Sequence, residues 1–150
     1  FENNDKITKV TIGNNITTIN ENAFSGCSKL KTIVIGKKVT SIGENAFYGC
    51  KKVTKVTIPN SVKTIGKNAF AKMKKLKKIA IGSGVASIGK NAFSNLKNGC
   101  VITKKKKNLK KVASSINLGT KNLVIKVPKS KLKAYTKLFK KSKGVKVVAK

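Results

Sequence analysis

The chain has 150 residues, the size of one ordinary domain, and at 39% hydrophobic it can bury a core. Its 35 basic residues are all Lys, set against four acids, and the net charge is +31. With no His, the commonest general base and metal ligand is missing; with no Arg, so is the bidentate fork that reads guanine edges.

The charge is uneven. Residues 1–50 carry +2, residues 51–100 carry +12 and residues 101–150 carry +17. Such a field attracts polyanions, speeds their arrival and repels itself. A Lys coat that is merely solvated competes with a polyanion site as its explanation. Non-specific adhesion to DNA at low salt is expected either way.

One unit recurs every 23 residues. Phe1, Phe24, Phe47, Phe70 and Phe93 share one slot, with Ile116 and Phe139 next in line. A second column runs Val10, Ile33, Val56, Ile79, Ile102, Ile125 and Val148. A period of this length predicts stacked supersecondary units, each dependent on its neighbours.

Within a unit, Ile7–Ile12, Leu30–Ile35, Val53–Ile58 and Leu76–Ile81 predict strands, rich in β-branched residues. Alternation aims Val10, Ile12 and their equivalents inward and positions 9 and 11 outward. Gly13, Gly36, Pro59 and Gly82 predict a turn. The pairs Ile16/Ile19, Val39/Ile42, Val62/Ile65 and Val85/Ile88 predict a short return strand or a tight helical turn. Asn20, Gly43, Gly66 and Gly89 mark a corner, read as left-handed backbone. Asn-Ala-Phe (22–24, 45–47, 68–70, 91–93) is placed on a short helical turn with Phe plugging the core. Cys27, Cys50, Met73 and Leu96 fill the next inward slot.

The last third is less regular. Residues 104–121 gain one residue and then lose it, with Leu109 and Val112 off the period. Leu123–Pro128 restores the strand. Residues 129–143 predict a helix with Leu132, Tyr135, Leu138 and Phe139 on one face. Gly144 stands where a C-cap is expected, and Val145–Val148 predicts a seventh strand. Helix and strand together read as an end cap.

The string Glu21-Asn22-Ala23-Phe24-Ser25-Gly26-Cys27 through Leu30, Ile33 and Ile35 resembles the BspA-like, or treponemal-type, leucine-rich repeat. It recurs over Glu44–Ile58. The third copy has Lys72-Met73 for Gly-Cys and the fourth has Asn95-Leu96. The resemblance implies a leucine-rich repeat solenoid, β-rich, with short parallel strands stacked in a curved sheet and a C-terminal helix and strand as cap. It implies a bacterial protein, extracellular or at the cell surface, with adhesion or binding of host or neighbouring-cell molecules and no catalytic residues. The expected organisation is one leucine-rich repeat domain over 1–150. Residues 1–103 are regular, and 104–150 form an irregular repeat and cap. Phe1 stands in mid-repeat, so a fragment of a longer chain is expected.

Several constellations have a plain structural reading. Cys27 and Cys50 lie one coil apart, near enough for a disulfide. Because Met73 and Leu96 share their slot, free core-filling thiols are favoured. Three scattered Cys without His make no zinc site, and no cofactor is expected. Gly84–Lys90 imitates a phosphate-binding loop, but Asn91 stands where Ser or Thr is needed. The Asn column (Asn22, Asn45, Asn68, Asn91) reads as a ladder whose side-chain amides satisfy backbone groups at a buried corner. The run Lys104–Lys107 reads as a solvated loop, not a nucleic-acid patch. Helix 129–143 is expected to pack on the last coil in preference to lying on an anionic membrane.

The outward strand positions make the candidate ligand face: Lys9, Thr32, Lys55, Lys78 and Val101 in one column, and Thr11, Val34, Thr57, Ala80 and Thr103 beside it. A grid at about 4.8 Å spacing suits an extended polymer. Two functions remain. One is a non-catalytic surface or secreted module engaging anionic polymers or surface proteins. The other is a structural spacer or protein-interaction scaffold. Neither needs a specific nucleic acid, a membrane span or a second subunit; a monomer is expected.

Overall fold

The computed structural model describes residues 1–104, 111–112, 122–140 and 144–150. Each coil contributes two strands. The first series is β1 (Lys9–Thr11), β3 (Thr32–Val34), β5 (Lys55–Ile58), β7 (Lys78–Ile81), β9 (Val101–Lys104) and β11 (Leu123–Val127). The return series is β2 (Thr18–Ile19), β4 (Ser41–Ile42), β6 (Thr64–Ile65), β8 (Ser87–Ile88) and β10 (Lys111–Val112). A 3-10 turn at Lys129–Lys131, helix α1 (Leu132–Phe139) and β12 (Val145–Ala149) close the chain.

All pairing is parallel. The return strands form one five-stranded sheet, β10-β8-β6-β4-β2. The first series gives a pair, β1-β3, and a five-stranded sheet, β12-β11-β9-β7-β5. The division between β3 and β5 has a chemical counterpart. Gly82 donates its N–H to the Ile58 carbonyl one coil back (2.9 Å). Pro59 holds the equivalent place, and proline has no N–H to give Ile35.

Between the sheets lies one core. The inward residues of β1 to β9 and of β11 are buried, and the third side of the coils supplies the Phe column. Phe1, Phe24, Phe47, Phe70 and Phe93 stack with centroids 5.7, 5.4, 5.5 and 6.0 Å apart and rings within 14° of parallel. Phe47, Phe70 and Phe93 are fully buried, while Phe1 at the first coil is 76% exposed. This third side is a chain of turns, with bonds such as Ser25 N–H to Asn22 O (3.0 Å). No helix forms there. Its amides instead bond the next coil: Phe24 to Ala46 O, Phe47 to Ala69 O, Phe70 to Ala92 O, at 2.9–3.0 Å.

The corner differs from the expectation. Gly43, Gly66 and Gly89 are not left-handed. Asn22, Asn45, Asn68 and Asn91 are, with φ between 52° and 57°. The Asn column is thus chosen for its backbone, since Asn tolerates this region better than other side chains. The Asn side chains are half-buried, and no amide bond is made by those of Asn22, Asn45 or Asn68 among the described residues. Their main-chain N–H groups do the joining, to Glu44, Lys67 and Lys90 carbonyls (2.9–3.0 Å). The glycines answer a different need. A Cβ on Gly66 would stand 2.6 Å from the Glu44 nitrogen, so the coils can approach only where a side chain is absent.

The thiols of Cys27, Cys50 and Cys100 are free and buried. Cys50 Sγ donates to the Phe24 carbonyl (3.2 Å) and Cys27 Sγ to Phe1 (3.1 Å), so each thiol satisfies a group one coil back.

At the far end, α1 packs on β12 with Tyr135 and Phe139 buried and Leu132 and Leu138 half-buried. Its apolar face is therefore used inside the protein. Residues 141–143 of the expected helix lie outside the described residues, as do Leu109, Ile116 and Lys105–Lys107. The expected one-residue insertion is seen in the register: Val112 pairs Ile88 at an offset of 24, where Ile65 and Ile88 keep 23. The last strand corrects the second apolar column. Ile125 pairs Val147, and Val148 faces Lys126. A helix-containing connection is not held to the 23-residue coil, so the register slips by one.

The coils make a direct test of stacking. Gly13 and Gly36 share a slot, neither is left-handed, and a Cβ on Gly13 meets nothing within 4 Å. On Gly36 it would stand 2.5 Å from the Gly13 carbonyl oxygen. Gly36→Ala is expected to lower the unfolding free energy by about 1–3 kcal/mol, and Gly13→Ala to change it by under about 0.5. Urea denaturation of the two variants decides this; equal effects would contradict stacking at that corner.

Candidate functional site

The candidate ligand face is built from the outward residues of the first strand series. The pleat alternates exposed and buried residues along β1, β3 and β5. Lys9, Thr11, Thr32, Val34, Lys55, Thr57 and Lys78 are exposed; Ala80, Val101 and Thr103 are half-buried. Register brings Lys9 beside Thr32, Thr11 beside Val34, Lys55 beside Lys78, Thr57 beside Ala80, and Ala80 beside Thr103. The grid is not continuous, because the sheet divides between β3 and β5. Lys9, Thr11, Thr32 and Val34 therefore lie on a separate ribbon from the rest.

Beyond Thr103 the same columns continue into the cap as Lys126 and Val148, and beyond Val101 as Val124 and Lys146. A hollow of about 320 Å³ joins Thr57, Ala80 and Thr103 to Asn60, Lys37 and Lys150. Thr103 turns its hydroxyl to the Ile79 carbonyl (3.4 Å). No aromatic side chain lines this hollow.

Electrostatically the face costs stability. Lys55 and Lys78 are directly opposite, and like charges so placed repel. One ion pair is present among the described residues, Lys67 to Glu44 (2.8 Å), at the opposite corner. Its hydrogen bond and attraction hold the Lys67 ammonium above the usual lysine range.

Burial pushes the Cys50 and Cys100 thiols up to about 12, which favours the neutral thiol at neutral pH. Cys27 shifts the same way for the same reason. Gly84–Lys90 is a coil turn leading into β8, not a strand-to-helix loop, and Gly84 packs against the Asn60 carbonyl. No helix is long and apolar enough to cross a membrane among the described residues.

Lys104 corrects the reading of the lysine run. It ends β9 opposite Ile81, in the inward column that Ile35 and Ile58 fill in earlier coils. Its side chain is 1% exposed, and its Nζ donates to the carbonyls of Gly82 (2.7 Å) and Ser83 (3.2 Å). Burial lowers its pKa to about 8. Period alone could have found it, since Lys104 is 23 residues after Ile81; the neighbouring lysines hid the signal.

The family model of the BspA type leucine rich repeat region matches residues 1–124 in 6 copies. The chain belongs to this family. Among curated proteins none matches. The pneumococcal vaccine antigen PcpA is similar in structure over the whole chain, with a TM-score of 0.81 at 20% identity. This chain spans 37% of that one. A leucine rich repeat protein of T. pallidum, TpLRR, is similar over 92% of this chain and 73% of its own, with a TM-score of 0.61 at 19% identity. Likeness at these identities establishes the solenoid fold.

A pH test follows from Lys104. Below pH 8 its charge penalises folding, because the unfolded ammonium keeps its ordinary pKa of 10.5. As pH rises from 8 toward 10.5, the folded state sheds its proton first and the penalty fades. Stability of the wild type relative to Lys104→Met should therefore rise by about 1–3 kcal/mol between pH 8 and pH 10. Paired denaturation curves measure this, and a pH-independent difference would mean that the ammonium is not desolvated.

Proposed function

We propose that the protein is a non-catalytic binding module, secreted or at a bacterial surface, that holds anionic polymers by charge. The observation that carries this reading is the excess of unneutralised lysine. The net charge is +31, and a single ion pair forms among the described residues. Lys9, Lys55 and Lys78, with the hydroxyls of Thr11, Thr32, Thr57 and Thr103, are the proposed contacts on the strand face, and Val34 and Ala80 lie among them. Membership of a repeat family, and likeness to a vaccine antigen of pneumococcus, support a surface role. The absence of His from the sequence and the raised pKa of the three thiols support a binding role over a catalytic one.

Lysine without arginine sets the kind of binding. An ammonium is a compact, strongly hydrated charge and lacks the planar fork that selects among phosphates or bases. Affinity should fall steeply with salt and discriminate little among sugars or sequences. Wall teichoic acids, acidic mucin glycans and phospholipid head groups share the required chemistry.

Retention on purified teichoic acid, with duplex DNA alongside, from low to physiological salt tests the reading. Selective retention of the wall polymer at physiological salt is expected. Equal loss of both ligands would reduce the lysines to a solvated coat and leave a spacer or protein-interaction scaffold as the function.

A further inference from the structure

The strand face is not where the lysines are densest. The turn that leads into each strand (residues 25–31, 48–54, 71–77 and 94–100) holds nine lysines and no acid. The corner on the return side (20–23, 43–46, 66–69 and 89–92) holds two lysines and two acids. The first group is stacked. Lys29, Lys52 and Lys75 occupy one slot of successive coils, and Lys51, Lys74 and Lys97 occupy the slot before it. All six are exposed. Inter-coil amide bonds hold this register: Lys31 N–H to Thr8 O (2.8 Å) and Lys77 N–H to Thr54 O (2.9 Å). The result is a double row of lysines along the solenoid axis, three in each row, on backbone slots about 4.8 Å apart from coil to coil.

A second observation points the same way. Lys72 is left-handed, with φ 56°, in the slot that Gly26 and Gly49 fill in the coils before it. A left-handed lysine costs about 1–2 kcal/mol that glycine does not. Its ammonium rests 5.1 Å from the centre of the Tyr48 ring, a cation–π contact at the border of the ladder. Solubility could be met by lysines anywhere on the coil. Here like charges are stacked in register, and Lys72 beside them is placed against backbone preference. Local rules are broken most often where function asks for it.

We infer that this ridge is a second contact beside the strand face, and the stronger of the two, for a flexible phosphate polymer lying lengthwise along the solenoid axis. The inference rests on the polyanion reading above and locates its site. A line of closely spaced point charges fits a single flexible chain that carries a charge on every unit. Acidic glycans space their charges more widely. Duplex DNA carries its phosphates wound around a stiff cylinder, so only some of them face a ridge along one side.

The test uses the full chain and long-chain inorganic polyphosphate as probe, with duplex DNA as comparator, at physiological salt. Two variants each lose three charges. One is Lys52→Gln, Lys74→Gln, Lys75→Gln on the ridge; the other is Lys9→Gln, Lys55→Gln, Lys78→Gln on the strand face. All six positions are exposed, and each change relieves repulsion, so both variants should fold; circular dichroism checks this. The ridge variant is expected to lose at least about tenfold in polyphosphate affinity, and the slope of log affinity against log salt should shrink by roughly two. The face variant should lose about threefold or less. Equal losses, or a greater loss in the face variant, would overturn the ridge as the site while leaving the polyanion reading intact. A wild type that does not bind polyphosphate, or binds it no better than DNA, would overturn both.

Discussion

Everything in this molecule depends on coils lying on one another at a constant separation. No coil has a core of its own. Its Phe ring is covered by the rings before and after it, its outward amides bond to carbonyls of the adjoining coil, and its thiol or thioether fills the same gap. That separation dictates residue choice at positions that would otherwise look arbitrary. Gly43, Gly66 and Gly89 allow backbone to meet backbone. Asn22, Asn45 and Asn68 turn the chain so that their N–H groups reach the next coil. The two requirements sit two residues apart and are easily confused.

The same stacking that protects the core concentrates charge. A residue type repeated in one slot becomes a ladder, whatever its chemistry. Apolar slots give a continuous core, while lysine slots give rows of like charge a few ångströms apart. Stability thus opposes the lysine rows and burial opposes Lys104, yet both are present. Lys104 shows how the tension is met at the end of the regular coils. Its stem continues the isoleucine column, and its ammonium caps the Gly82 and Ser83 carbonyls. An apolar residue would leave those carbonyls without this donor.

Much of the fold was legible because period and alternation act on every coil alike. The strand positions, the Phe column, the buried thiols and the one-residue insertion before Val112 all follow from spacing. What was not legible lies where a local rule competes with the period. Pro59, which has no N–H to give Ile35, stands where the sheet divides, and nothing in the period marks that place. Val148 falls out of the apolar column because a helical connection replaces a coil. Lys104 was masked by lysines on either side. Seven of the ten outward strand positions are exposed as alternation predicts, with Ala80, Val101 and Thr103 half-buried, but counting outward strand positions alone passed over the stacked lysines of the turns.

The measurement that bears most directly on coil-to-coil stacking is hydrogen exchange at the amides of Phe47 and Phe70, whose acceptors belong to the following coil. If the coils form one cooperative rod, both amides exchange only on global unfolding, at a common free energy shared with interior amides of β7 and β9. Exchange at the Phe47 amide at the rate of an unstructured chain, with β7 and β9 still protected, would show that the coils fold separately, and the account would fail.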